Sequence, residues 1–231
     1  SSGMSTSESR EKYYIGKMST KGRILVLRRV RAGDQDLLVR AYGPAGVMDL
    51  LVRDGLLNTS AFFGVFEPFN VVEVDLSQRG EVAVPNDVMR VERLSYLCAD
   101  FDRFRWMCWV ARFVLRNVRF YDERLFELFL SYLTVKGRRE EVYRIKLKLE
   151  YLEASGLRPR FLGAESLKGK VKVKLSDGSV SPEGDLEVKA QVLRVIRRLY
   201  ETRRVGRVIL SPELAKGAEQ LLDRFIEYHS R

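Results

Sequence analysis

The chain has 231 residues, 45% hydrophobic and 31% charged, with 41 lysines and arginines against 31 aspartates and glutamates for a net charge of +10. That length builds one large domain or two modest ones, and the charge favours polyanionic partners: nucleic acid, an anionic membrane surface or an acidic peptide. The longest apolar run, Trp106 to Ala111, is far too short for a membrane span. Two cysteines without a CxxC pair and one histidine, His229, argue against a zinc ribbon or a Ser-His-Asp or Cys-His site.

Ser1-Ser2-Gly3 before Met4 reads as an expression scar, and residues 1–18 are polar and expected to be loose. Their start lacks the apolar core of a secretory signal, so a cytoplasmic protein is expected, with no membrane partner. From Arg23 to about Arg93 apolar residues recur with period two. Turn residues divide them into five strands: Arg23–Arg31, Asp36–Tyr42, Gly46–Arg53, Phe69–Ser77 and Glu81–Val91. Five short antiparallel strands in some seventy residues predict an α+β protein that opens with an OB-type barrel over residues 19–93. The acidic knot Gly33-Asp34-Gln35-Asp36 falls between two strands and reads as a turn capped by its own aspartate. A metal site there needs further carboxylates or histidines converging on it, and Asp49 is the nearest candidate.

From Leu94 the period becomes helical, which predicts an all-helical domain over residues 94–231. In its first helix Phe101, Phe104, Cys108, Ala111 and Leu115 form one stripe, and Trp106, Trp109, Val110, Phe113 and Val114 cover most other directions. Such a helix is expected at the buried centre of the domain. Cys98 and Cys108, roughly 15 Å apart along one helix, are expected as buried thiols beyond disulfide reach. Arg105, Arg112, Arg116 and Arg119 leave a single basic seam. Helices follow over Asp122–Val135, with Leu125, Phe126, Phe129, Leu130 and Leu133 inward, and over Arg138–Ser155, stopped by Gly156 and Pro159. Alternation of lysine and valine from Lys168 to Lys174, then Ser176-Asp177-Gly178-Ser179, predicts a β-hairpin over about 168–181. The last helices span Asp185–Arg204 and Pro212–Tyr228, the second capped by Ser211.

The ordered series of features resembles the bacterial RecO family of recombination mediators. It begins with Gly22-Arg-Ile-Leu-Val-Leu-Arg-Arg29 and Gly33-Asp34-Gln35-Asp36-Leu37-Leu38-Val39. It continues through Tyr42-Gly43-Pro44-Ala45-Gly46, Arg53-Asp54-Gly55, Ser60 and Phe66-Glu67-Pro68-Phe69. In the helical half it takes in Phe126-Glu-Leu-Phe-Leu130 and Leu147-Lys-Leu-Glu-Tyr-Leu-Glu-Ala-Ser-Gly-Leu-Arg-Pro159. The likeness covers about Gly22 to Leu162 and is thin beyond. It implies an OB barrel, a helical domain and no catalytic turnover or cofactor. RecO-like proteins bind single- and double-stranded DNA and anneal complementary strands. With a RecR-like partner they help load recombinase onto DNA coated with single-stranded DNA-binding protein. Many members carry a four-cysteine zinc site just after the Gly-x-x-Pro helix end, and here Phe161 to Ser181 has no cysteine. The loop often rich in Arg and Lys reads Asp54-Gly-Leu-Leu-Asn-Thr-Ser60.

Candidate contacts to DNA are Arg28, Arg29, Arg31, Arg40, Tyr42 and Arg53 on the barrel, with Arg40 and Tyr42 on a shared face for phosphate contact and base stacking. Others are Lys168, Lys170, Lys172 and Lys174, and Arg194, Arg197, Arg198, Arg203 and Arg204. The acidic, phenylalanine-ending tail of single-stranded DNA-binding protein needs an apolar pocket beside cations. Trp109 and Phe120, at the edge of the seam of Arg105, Arg112, Arg116 and Arg119, are the candidates. Three rival readings stay open: a nuclease with clustered carboxylates, a sequence-specific DNA regulator, and an RNA-binding OB protein.

Overall fold

The computed structural model describes residues 19–135, 139–163 and 168–230. The expected loose segment 1–18, and Arg138 at the start of the third helix, lie outside the described residues. Strands β1 (Ser19–Ala32), β2 (Asp36–Gly43), β3 (Gly46–Val52), β4 (Val71–Arg79) and β5 (Val82–Glu92) close a barrel in the order β1-β2-β3-β5-β4. All neighbours are antiparallel except β3 and β5, which meet in parallel at Leu50 and Ala83. This is the α+β, OB-type architecture that period-two alternation predicts. Ile24, Val26, Leu37, Val39, Leu50, Val52, Val72 and Val74 fill its interior, each buried side chain contributing roughly 1.5–3 kcal/mol.

Strand β1 changes character along its length. Ile24 to Leu27 are buried on both faces, whereas Arg28, Arg29, Val30 and Arg31 are all exposed. A register shift between Val26 and Arg28 marks the change. There Val26 N donates to Asn70 O (3.0 Å) and Phe69 N donates to Val26 O (2.7 Å). Asn70, fully buried, donates from Nδ2 to Val65 O (3.1 Å) and accepts from Ser95 N (3.2 Å) on Oδ1, so all its polar groups are satisfied. Between β3 and β4 the chain runs in turns, with Val65, Phe66 and Phe69 buried.

A 3-10 turn, Leu94–Ala99, leads to helix α1 (Phe101–Asn117), whose N-cap Asp100 accepts from Arg103 N. The expectation that α1 is buried nearly all round is corrected. Trp106, Met107, Val110, Ala111, Phe113 and Val114 are buried, but Phe101 is 72% exposed and Phe104 42%, with Cys108 and Leu115 half-buried. Burial follows one arc of the 100° helical wheel, which takes in Ala111, and the other members of the stripe begun by Phe101 lie off it. Nor do the cysteines share a helix: Cys98 sits in the 3-10 turn, and both are half-buried rather than buried. Partial burial nonetheless pushes both thiols up from their ordinary range.

Helix α2 (Glu123–Leu133) buries Leu125, Phe126, Phe129 and Leu133 as expected, with Tyr132 added and Leu130 only half-buried. The chain divides between Phe129 and Leu130 into two compact units, so α1 and the start of α2 group with the barrel.

The second unit holds α3 (Glu140–Ala154), the antiparallel pair β6 (Lys170–Val173) and β7 (Leu186–Lys189), α4 (Ala190–Glu201) and α5 (Pro212–His229). Gly156, at φ +74°, ends α3 with paired bonds from Leu157 N to Leu152 O and from Gly156 N to Glu153 O. Two expectations fail here. Leu186–Lys189 is not the first turn of a helix but the partner of β6, because Leu186 and Val188 alternate with Glu187 and Lys189. The hairpin therefore closes at residue 189, and the turn at Gly178 is nested inside it by a bridge from Val173 to Val180. Ser211 caps α5 as expected, accepting from Leu214 N. Between α3 and α5, Lys148 (4% exposed) pairs with Glu219 (3.0 Å) and Asp223 (2.7 Å), and Arg144 grips both oxygens of Glu219. Among the described residues no helix is long and apolar enough to cross a membrane.

Candidate nucleic-acid interface

The tip of the β1–β2 hairpin is built by its arginines. Gly33, at φ +64°, opens the turn. The expected aspartate cap is replaced by Arg31, whose guanidinium donates to Gly33 O (3.1 Å) and Asp34 O (2.6 Å). Asp36 Oδ1 accepts from Asp54 N (2.8 Å), tying the turn to the end of β3. The acidic knot is therefore structural, and among the described residues no three His, Cys, Asp or Glu side chains gather as metal ligands.

Cross-strand register sorts the barrel cations. Arg28 lies opposite Arg40, and Arg40 opposite Asp49, in one outward row. The next row is Val30, Leu38 and Leu51, with Val30 40% exposed. Arg29 and Arg31 stand on the other face, opposite Val39 and Leu37. Arg28, Arg29, Arg31 and Arg53 are exposed. Arg40 is bound to Asp49 at 3.0 Å, which offsets much of its charge.

Tyr42 is a correction. It shares the parity of Arg40 but is 0% exposed. Its hydroxyl donates to Phe120 O (3.1 Å) and accepts from Asp122 N (3.1 Å), and its ring packs among Tyr121, Phe126 and Phe129. Strand parity gives the face of the sheet but not what covers it, and here the link between α1 and α2 does. Arg23 completes this cover, bonding Glu123 and Glu127 while its guanidinium lies 4.6 Å over the Phe126 ring. Burial, and then a hydrogen bond to Glu123, push the Tyr121 hydroxyl up to about 12.

The basic seam keeps three of its four members. Arg105, Arg112 and Arg116 are exposed along α1. Arg119 lies past the helix end, where it donates to the carbonyls of Leu115, Arg116 and Val118 and so caps them. Trp109 is half-buried in a stack between Trp106 (5.2 Å) and Phe113 (5.8 Å) rather than projecting. Phe120 is 47% exposed. The aromatics that stand out beside the seam are Phe101 and Phe104, together with Tyr96 (71% exposed) in the preceding turn. Helical periodicity alone predicts both phenylalanines in the core. The N-cap at Asp100 was the available signal, since it puts Phe101 at the first helical position.

In the second unit Lys168, Lys170 and Lys172 are exposed, Lys170 lies 3.7 Å from Glu187, and Lys174 is half-buried beyond the strand. On α4, Arg194, Arg197 and Arg198 meet with Glu201 and Thr202 around a shallow depression of about 440 Å³. Arg197 pairs with Glu201 at 3.1 Å. Arg203, Arg204 and Arg207 are exposed beyond the helix. Residues 190–210 hold six arginines against one glutamate.

A protein of Aquifex aeolicus (strain VF5), described only as uncharacterized, is 36% identical over 210 residues, covering 90% of this chain and 98% of that one. The chain belongs to the family of that Aquifex protein. No family model matches it. The aligned length exceeds that of either compact unit, so the family likeness spans parts of both.

For this family member the arrangement offers point charges on two surfaces. Exposed guanidinium and ammonium groups suit phosphate oxygens, which accept several hydrogen bonds at once.

Proposed function

We propose that this chain is a non-enzymatic, DNA-binding mediator of DNA repair, similar in role to the RecO proteins. It binds single- and double-stranded DNA and anneals complementary strands, and it acts with a RecR-like partner and single-stranded DNA-binding protein to help load recombinase. Its place is the cytoplasm, with the nucleoid. One observation carries the reading: an OB-type barrel presents Arg28, Arg29, Arg31 and Arg53 as exposed cations, joined in the chain to a second unit with its own arginine run at Arg194–Arg207. Two cationic surfaces on one chain suit a protein that holds two strands at once.

The test is annealing of complementary oligonucleotides, with and without single-stranded DNA-binding protein. The reading expects annealing faster than the spontaneous rate and retained on the coated strand. DNA binding without annealing leaves a basic OB-type binding protein and removes the mediator role. Absence of any DNA binding at low salt removes both.

A further inference from the structure

Helix α1 carries an organised surface that the barrel cations do not explain. Taking Phe101 as zero at 100° per residue, seven side chains fall within roughly 60° on either side: Phe101, Phe104, Arg105, Cys108, Arg112, Leu115 and Arg116. They sort into two parallel ridges. Phe101, Phe104, Cys108 and Leu115 form an apolar one, and Arg105, Arg112 and Arg116 a basic one beside it. The buried side of α1, with Trp106, Val110 and Val114, lies opposite. Phe101 is 72% exposed and Phe104 42%, and Tyr96, on the 3-10 turn that packs against α1, is 71% exposed. Large rings left this open on two adjoining elements mark a binding surface.

We propose that this face is a stacking surface for the unpaired bases of a single-stranded nucleic acid, with the arginine ridge taking its phosphates. The inference rests on the nucleic-acid reading above and specifies the form of nucleic acid. Three observations choose this occupant. The exposed apolar groups nearest the start of the helix are aromatic, and every base offers a π-face to stack on such a ring. The rings project at more than 70% exposure at Phe101 and Tyr96 instead of lining a cleft, whereas a peptide's anchoring side chain needs a pocket to bury in. A second copy of a chain with a net charge of +10 is repelled by the first. Acidic groups on α1 gather at one end: Asp100 bonds Arg103 N, and Asp102 lies 3.8 Å from Arg105. The phosphate track therefore runs toward Arg112 and Arg116. A duplex, whose bases are already stacked on one another, gains nothing from the rings.

The experiment titrates the full chain into a single-stranded oligonucleotide carrying 2-aminopurine and, separately, into a duplex of the same sequence. In the variant Tyr96→Ala/Phe101→Ala/Phe104→Ala the inference expects single-strand affinity to fall roughly tenfold or more, with loss of the fluorescence quench that stacking produces. Duplex affinity and the melting temperature stay within twofold and about 2 °C of wild type, since the three side chains are exposed. The variant Phe101→Leu/Phe104→Leu keeps the ridge apolar without rings and is expected to lose the quench too. Wild-type quench and affinity in either variant, with DNA binding otherwise intact, overturn the stacking surface and leave the barrel reading standing. Capture of an acidic, phenylalanine-containing peptide that both variants abolish, without change in the quench, assigns the face to a protein partner instead. Failure of the wild type to bind either oligonucleotide removes the nucleic-acid reading itself.

Discussion

Substitution of Tyr42 by phenylalanine separates the buried role seen in the structure from the base-stacking role that strand parity suggests. The hydroxyl donates to Phe120 O and accepts from Asp122 N, both at 3.1 Å, in a site with no solvent exposure. Tyr42→Phe keeps the ring and its packing on Tyr121, Phe126 and Phe129, but leaves a carbonyl and an amide without this partner. A buried group stranded in this way costs about 1–3 kcal/mol. For a chain of this size each kcal/mol lowers the melting temperature by about 2–4 °C. Thermal unfolding followed by circular dichroism should therefore show a drop of roughly 2–12 °C, with DNA affinity at matched salt unchanged. A variant of wild-type stability would refute the argument, because it would mean that the hydroxyl is not holding Phe120 O and Asp122 N in a buried site.

Replacement of Arg28 and Arg29 together by glutamine should weaken DNA binding and make the slope of log affinity against log salt shallower by about 1.4, at roughly 0.7 per single-strand phosphate. Arg40→Gln should change it far less, because Arg40 is already bound to Asp49; equal effects would refute the sorting. Lys148→Met should destabilise the second unit by about 1–3 kcal/mol in urea unfolding. Burial pushes the Glu219 carboxyl up, but Arg144 and Lys148 outweigh it and hold it below its ordinary value. The stability that its ionised form confers is present above the unfolded value, near pH 4.5, and is lost as pH falls through the lower folded value. Lys148→Met should shift acid unfolding to higher pH, and an unmoved midpoint counts against the pairing. Gly184→Ala places a methyl 2.5 Å from the backbone of Lys172 and Val173, so amide exchange over β6 and β7 should accelerate while the barrel is unaffected.

The barrel was legible because its two signals agree: period-two alternation sets the strands, and Gly33 and Gly80 supply the positive φ of their turns. Ser211 and Gly156 were equally readable, since a cap and a helix stop are local chemistry. What failed was the step from residue type to exposure. Counting along the element places Tyr42 and Phe101 on a face, yet what covers Tyr42 arrives from residues 120–129. At Phe101 nothing among the described residues supplies a comparable cover, so an apolar residue in a helical stripe is left 72% exposed. Leu186–Lys189 was lost for a related reason: a four-residue strand has too few alternations to outweigh the helix that follows it.

The divided character of β1 sets different rules for change on its two sides. From Ile24 to Leu27 each side chain is enclosed, so a substitution there is answered first by the folding equilibrium. From Arg28 to Arg31 every side chain is open to solvent while the backbone still pairs with β2, so side chains can be exchanged with little effect on whether the barrel forms. Variation confined to those four positions and Arg53 can retune the strength, salt dependence or partner of the surface over generations without first destabilising its scaffold. Among the described residues, the clip at Val26, Phe69 and Asn70 marks the line between the two regimes.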